Sequence, residues 1–96
     1  MINGAAHSDI LHKIYSMESS QGKHDGCKDI GKFNGFGYGQ NATVWNCFDS
    51  FEEVVSKVDA WFTKHLLTKT VPEAVCFYNT GSTDTNCSYY QKFLSY

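Results

Sequence analysis

Residues 50–66, SFEEVVSKVDAWFTKHL, carry the strongest helical signal in the chain. Phe51, Val54, Val55, Val58, Trp61, Phe62, His65 and Leu66 recur at three- and four-residue intervals and so share one apolar face. Ser50 followed by Glu53 has the spacing of a capping box, which places the helix start. Downstream, Thr70 and Glu73 repeat that signature, with Pro72 tolerated in a first turn. Ala74, Val75 and Phe77 continue this second helix, and Gly81 is its expected stop. A short last helix is expected from Ser88 to Leu94, docking by Tyr89, Tyr90 and Phe93. Upstream, Ser8 is the expected N-cap of a first helix, with Asp9 favourable in its first turn. Ile10, Leu11, Ile14, Tyr15 and Met17 follow with helical spacing, and the helix should end between Ser19 and Gly22.

The roughly thirty residues between the first helix and residue 50 differ in character, holding six of the eight glycines. A loop of that length in a small domain is functional or contains short irregular strands. The fold class expected is therefore mainly α, with four short helices and a long Gly-rich loop or small hairpin across one face. All 96 residues form a single domain.

Composition limits the partners. The chain is 42% hydrophobic and 16% aromatic, which excludes a disordered tail. Its eight basic residues are all Lys, and the net charge is −2. Without Arg it is a poor match to phosphate backbones, so nucleic acid is excluded as a main partner. No apolar run approaches the ~20 residues of a membrane span. Residues 1–8 lack the apolar core of a secretory signal, yet four cysteines are the even count of an exported, stapled domain. The expectation is a monomeric domain, either mature or excised from a longer secreted chain, working outside the cell, in the periplasm or at the cell wall; the alternative is a leaderless cytosolic protein.

Four cysteines allow three pairings. Cys27–Cys47 and Cys76–Cys87 are favoured because each closes a Gly/Asn-rich loop with little else to hold it, at about 3 kcal/mol of stabilisation each. A zinc site is disfavoured: His24 and Cys27 have ligand-like spacing, but no C-x-x-C pair completes the set. A Cys27–His24 nucleophile would need a free thiolate, which two disulfides remove. No metal or cofactor is expected, and His65 reads as a core histidine.

Three stretches carry candidate chemistry. Glu18 lies four residues after Ile14 and seven after Leu11, on the apolar face and at a helix C-terminus. Desolvation and the helix dipole would both raise its pKa, as a general acid requires; the alternative is that the helix ends early and Glu18 turns outward. Gly35-Phe36-Gly37-Tyr38-Gly39-Gln40 alternates small residues with rings, which suits close approach to a sugar or, equally, a tight hairpin. Phe77-Tyr78-Asn79-Thr80-Gly81 offers hydroxyl and amide groups, or simply a helix C-cap.

Taken in order, Glu18-Ser19, Gly37-Tyr38-Gly39-Gln40 and Tyr78-Asn79-Thr80-Gly81 resemble the lysozyme-like lytic transglycosylase superfamily, which includes soluble lytic transglycosylases and goose-type lysozymes. The resemblance runs from Ile10 to about Gly81. Ser20 replaces the Gly that commonly follows Glu-Ser there, and Tyr38 and Gly39 replace the middle of a Gly-Leu-Met-Gln motif. The resemblance implies a lysozyme-like α+β fold with helices around a substrate cleft. It implies Glu18 as acid/base for the β-1,4 MurNAc–GlcNAc bond of peptidoglycan, with Ser19, Tyr38, Gln40, Tyr78 and Asn79 binding substrate. Gln40 would lie near the scissile sugar, Tyr78 against the Glu18 carboxyl, and Asn79 against an N-acetyl group or hydroxyl.

A hydrolase needs a second carboxylate, and Asp25, Asp29 and Asp49 are the acids in or beside the loop; each reads as a solvated turn residue. A lytic transglycosylase needs none, because Glu18 can deprotonate the muramic C6 hydroxyl to give a 1,6-anhydro product, and this is the favoured route. The alternatives are a lysozyme-type hydrolase, a non-catalytic glycan-binding module, and an interaction domain presenting Tyr89, Tyr90, Phe93 and Tyr96.

Overall fold

The computed structural model describes residues 2–39 and 46–96. Its helices are α1 (Ser8–Ser19), α2 (Phe51–His65), α3 (Val71–Thr80) and α4 (Ser88–Leu94), with 3-10 turns at Ile2–Gly4 and Gly26–Ile30. The mainly helical reading holds. Among the described residues there is no β-strand, and the stretch expected as a long loop or small hairpin holds one antiparallel bridge, between Phe33 and Phe48.

Each helix start has a local or a long-range cause. Ser50 Oγ accepts from the Glu53 amide at 3.1 Å and opens α2. Thr70 and Glu73 form the reciprocal capping box of α3, and Gly81 closes that helix at φ 76°. In α1 the cap position is His7, not Ser8, and no side chain within the segment caps it. Instead the carboxylate of Asp59, on α2, accepts from the amides of Ala6 at 3.0 Å and His7 at 2.9 Å. Negative charge there also complements the helix dipole, so α2 sets where α1 begins. The first turn of α4 is capped by sulfur: Cys87 Sγ accepts from the Tyr90 amide at 3.3 Å.

The helices pack around Leu11 and Ile14 of α1, Val54, Val58 and Phe62 of α2, Ala74 and Val75 of α3 and Phe93 of α4, all buried. A fully buried Phe or Leu contributes about 1.5–3 kcal/mol relative to exposure, so this small set carries much of the stability. Both favoured disulfides are present, Cys27–Cys47 and Cys76–Cys87, with Cα separations of 5.6 and 5.9 Å. Cys76–Cys87 ties α3 to α4. Cys27–Cys47 closes the long loop.

The loop is organised by two polar side chains. Asp25, expected to be solvated, is buried; Oδ1 accepts from the Cys27 amide at 3.0 Å and Oδ2 from the Asn34 amide at 2.9 Å. Asn34, also buried, accepts from the Tyr38 amide and donates to the carbonyls of Tyr38 and Asn46, all within 2.9 Å. These bonds satisfy backbone groups that strands would otherwise pair, which is why the loop stays irregular. Phe36 then enters the core, its ring 4.9 Å from that of Tyr15 and 6.0 Å from that of Phe51.

Asp25→Ala should therefore destabilise the fold by about 3 kcal/mol, because it leaves two buried amides without acceptors. Urea unfolding with both disulfides intact measures this as a lower midpoint at unchanged slope.

Candidate functional site

Helix α1 runs on through Ser19, so Glu18 sits inside its last turn and does not splay from an early helix end. The Tyr89 hydroxyl, from α4, donates to Glu18 Oε1 at 2.8 Å. On the other side stands Gly37, where a Cβ would lie 2.6 Å from Glu18 Oε2 and the backbone is left-handed at φ 64°. Both facts favour glycine at this position: a side chain would be strained at that φ and would push the Glu18 carboxylate aside. Glu18 as a whole residue is exposed, so its desolvation is local to the carboxyl end, where Tyr89 and Gly37 crowd it. That burial raises the carboxyl above the ordinary glutamate range, partly offset by the Tyr89 hydrogen bond and the charge of Lys92. The group holds its proton more tightly than a solvated Glu and keeps a partner for the ionised form.

Tyr89, which the sequence reading assigned to docking of the last helix or to a partner surface, is here the residue that meets Glu18. It lies 71 positions from Glu18, and no local motif marks it. Its place follows from Cys87, two residues earlier, which is bonded to Cys76 in α3. Burial first, then the charge and hydrogen bond of Glu18, raise its phenol far above the usual range, so it remains a donor.

The Tyr78 hydroxyl donates to the Phe36 carbonyl at 2.7 Å, and the residue lies near enough to Glu18 for that charge to act on its phenol. Burial raises its pKa well above normal, and the charges of Glu18 and Tyr38 add to the shift; Tyr78 therefore acts on the site through the loop backbone. Ser19 is buried inside the turn, donating to the Tyr15 carbonyl at 3.1 Å and accepting from the Gly22 amide at 2.9 Å. Ser20 follows at φ 50°, filling the left-handed cap that glycine usually takes. Tyr38 is fixed at both backbone polar groups by Asn34, with its ring 6.1 Å from Phe48. Asn79 is exposed near the end of α3. Gln40 lies outside the described residues.

Beside this cluster is a groove of about 340 Å³ lined by Gly37, Tyr38, Gly39, Trp61, Phe77 and Tyr78. Gly37 belongs to both features, touching the Glu18 carboxylate and lining the groove. The wall is aromatic: Trp61 stacks with Phe77 at 6.1 Å and meets Tyr78 edge-on at 5.1 Å. Trp61 enters here from the apolar stripe of α2, where sequence pattern marked it only as core.

The remaining acids do not shift the Glu18 carboxyl. Both oxygens of Asp25 are engaged by backbone amides. Asp29 is exposed on the 3-10 turn, and exposed Asp49 pairs with Lys32 at 2.6 Å. Both cysteine pairs are oxidised, so Cys27 offers His24 no thiolate. His65 is half-buried, its ring 4.1 Å from Trp61.

Two outcomes follow. Tyr89→Phe removes a hydrogen bond that favours the ionised form, so the Glu18 pKa should rise further in a carboxyl 13C NMR titration. Separately, the raised pKa means that folding takes up a proton at Glu18. The contribution of Glu18 to stability is thus full below the ordinary glutamate pKa and is lost as pH rises through its raised value. Glu18→Gln should then be more stable than the parent chain at neutral pH, with the difference vanishing in acid, as read from urea midpoints across that range.

Comparison with protein-family models, with curated proteins and with solved structures returned no match, so the chemistry of this arrangement is read from its own geometry.

Proposed function

We propose that this domain cleaves the β-1,4 MurNAc–GlcNAc bond of peptidoglycan, with Glu18 as the single acid/base. The observation that carries this reading is a carboxyl with a raised pKa, held by a phenol donor, at the edge of an aromatic groove. In this reading the chain is a lysozyme-like domain, and the groove between Gly37-Tyr38-Gly39 and Trp61-Phe77-Tyr78 is its sugar cleft. Sugars present apolar ring faces edged by hydroxyls, and stacked aromatic walls suit them. Asn79, exposed near the end of α3, would contact the sugar beside the aromatic walls; Ser19 and Tyr78 would support the site through the backbone.

Protonated Glu18 gives its proton to the glycosidic oxygen as the C1–O bond breaks and oxocarbenium character develops at C1. The resulting carboxylate keeps the Tyr89 hydrogen bond, which stabilises it at the moment it forms. It then takes the proton of the muramic C6 hydroxyl, and that oxygen bonds to C1, closing a 1,6-anhydro ring and restoring Glu18–H. This route needs no second carboxylate. The engagement of Asp25 by the backbone and of Asp49 by Lys32 favours it over hydrolysis. Two disulfides suit an oxidising compartment, so the proposed setting is secreted, periplasmic or cell-wall associated.

Digestion of purified peptidoglycan by the parent chain and by Glu18→Gln, with products weighed by mass spectrometry, tests the reading. The expected products are 1,6-anhydro muropeptides, lighter by one water than hydrolytic ones and absent with the variant. Reducing-end products would make it a lysozyme-type hydrolase. No Glu18-dependent product would leave a glycan-binding module.

A further inference from the structure

The wall of the groove continues into a polar cluster that the acid/base chemistry does not use. The Lys69 ammonium lies 4.8 Å over the ring of Phe77 and 3.1 Å from His65 Nδ1. The His65 ring in turn lies 4.1 Å from Trp61 and 5.3 Å from Phe77. Burial, then the charges of Lys69 and Lys64, favour the neutral imidazole. A neutral ring that accepts from Lys69 at Nδ1 carries its proton on Nε2, so His65 offers a further donor. Two rings of the groove thus bear a half-buried ammonium and an imidazole donor on their flank. Among the described residues the ion pair within 4.0 Å is Lys32–Asp49, and Lys69 has none. Glu73 feels the charge of Lys69, but its Oε1 is engaged by the Thr70 amide and hydroxyl at 2.9 and 3.0 Å.

We infer that this groove is a subsite for a sugar bearing a carboxylate on a side arm, the ring stacking on Trp61 and the carboxylate meeting Lys69 and His65. The inference rests on the glycan-cleaving reading and names its substrate class more closely. A bare β-1,4 GlcNAc chain has rings for the wall and nothing for the cation. Muramic acid carries a carboxylate on its lactyl arm when free of peptide, and on the peptide when substituted. Lys69 is therefore the specificity-determining residue between peptidoglycan strands and chitin.

Binding is measured by NMR titration of the cleavage-deficient Glu18→Gln protein, so that it does not depend on turnover. The probes are chitin oligosaccharide, peptide-free MurNAc–GlcNAc oligosaccharide and the same oligosaccharide carrying its peptide. Adding Lys69→Gln should weaken one or both MurNAc ligands by about fivefold, the scale of a partly exposed ion pair, and leave chitin binding unchanged. The MurNAc ligand that loses affinity identifies the carboxylate. Trp61→Phe, which keeps a ring in the wall, should weaken all three. Equal loss on chitin and MurNAc ligands with Lys69→Gln would overturn the inference, as would no loss on any. If Lys69 discriminates while the parent chain cleaves nothing, the subsite stands and the catalytic reading fails; if Glu18-dependent cleavage occurs with no Lys69 discrimination, the reverse holds.

Discussion

The Tyr78 hydroxyl donates to the carbonyl of Phe36 at 2.7 Å, joining α3 to a loop residue 42 positions earlier. That bond sits where core and site meet. The Phe36 side chain is fully buried against Tyr15 and Phe51, its carbonyl is engaged by Tyr78, and the next residue lies against the Glu18 carboxylate. The loop could not hold Gly37 there by its own propensity, because a Gly-rich segment has too many conformations to choose one. Burying one large ring and satisfying one carbonyl selects among them. Asp25 and Asn34 do the same for the flanks by giving backbone amides and carbonyls fixed partners.

The second constraint is covalent. Helix α4 has seven residues, too few to be stable alone. Phe93 docks it in the core, and Cys76–Cys87 fixes its start against α3. Tyr89 is the second residue of that helix, so the disulfide determines where its hydroxyl can reach. The site is assembled from α1, the loop and α4, each held by a different kind of force. In a domain this small the hydrophobic core supplies a limited margin, and a partly desolvated Glu at a helix C-terminus reduces it further. Such a conflict between local stability and side-chain placement is what functional sites commonly show.

Local rules located three helices closely. The capping signals at Ser50 and Thr70, the Gly81 stop and the span from Ser88 to Leu94 all correspond to observed boundaries. Helix α1 also begins at Ser8 and ends at Ser19 as expected, but Ser8 is not its cap: the amides ahead of it are held by Asp59, some fifty positions away, which no local rule could show. Of the long loop or small hairpin expected, the described residues form an irregular loop with a single bridge; the expectation of a solvated Asp25 failed, because local sequence does not show which backbone amides a turn acid will meet. The raised pKa of Glu18 was legible from its place on the apolar stripe at a helix end. The hydroxyl that hydrogen-bonds it, that of Tyr89, was not, because no local motif marks a partner 71 positions away.

Sequence alone determined the helical framework and Glu18 as the acid out of keeping with its helix face, and it favoured two disulfide loops among three possible pairings. The first two follow from interactions within a few residues of one another; the cysteine count allowed the disulfides without choosing their partners. Tertiary structure decided which hydroxyl meets Glu18, which rings line the groove beside it, and that Asp25 and Ser19 serve the backbone. Those outcomes depend on packing between segments far apart in the chain. Many side chains of the same type could occupy each position, and only the close-packed, hydrogen-bonded whole selects one.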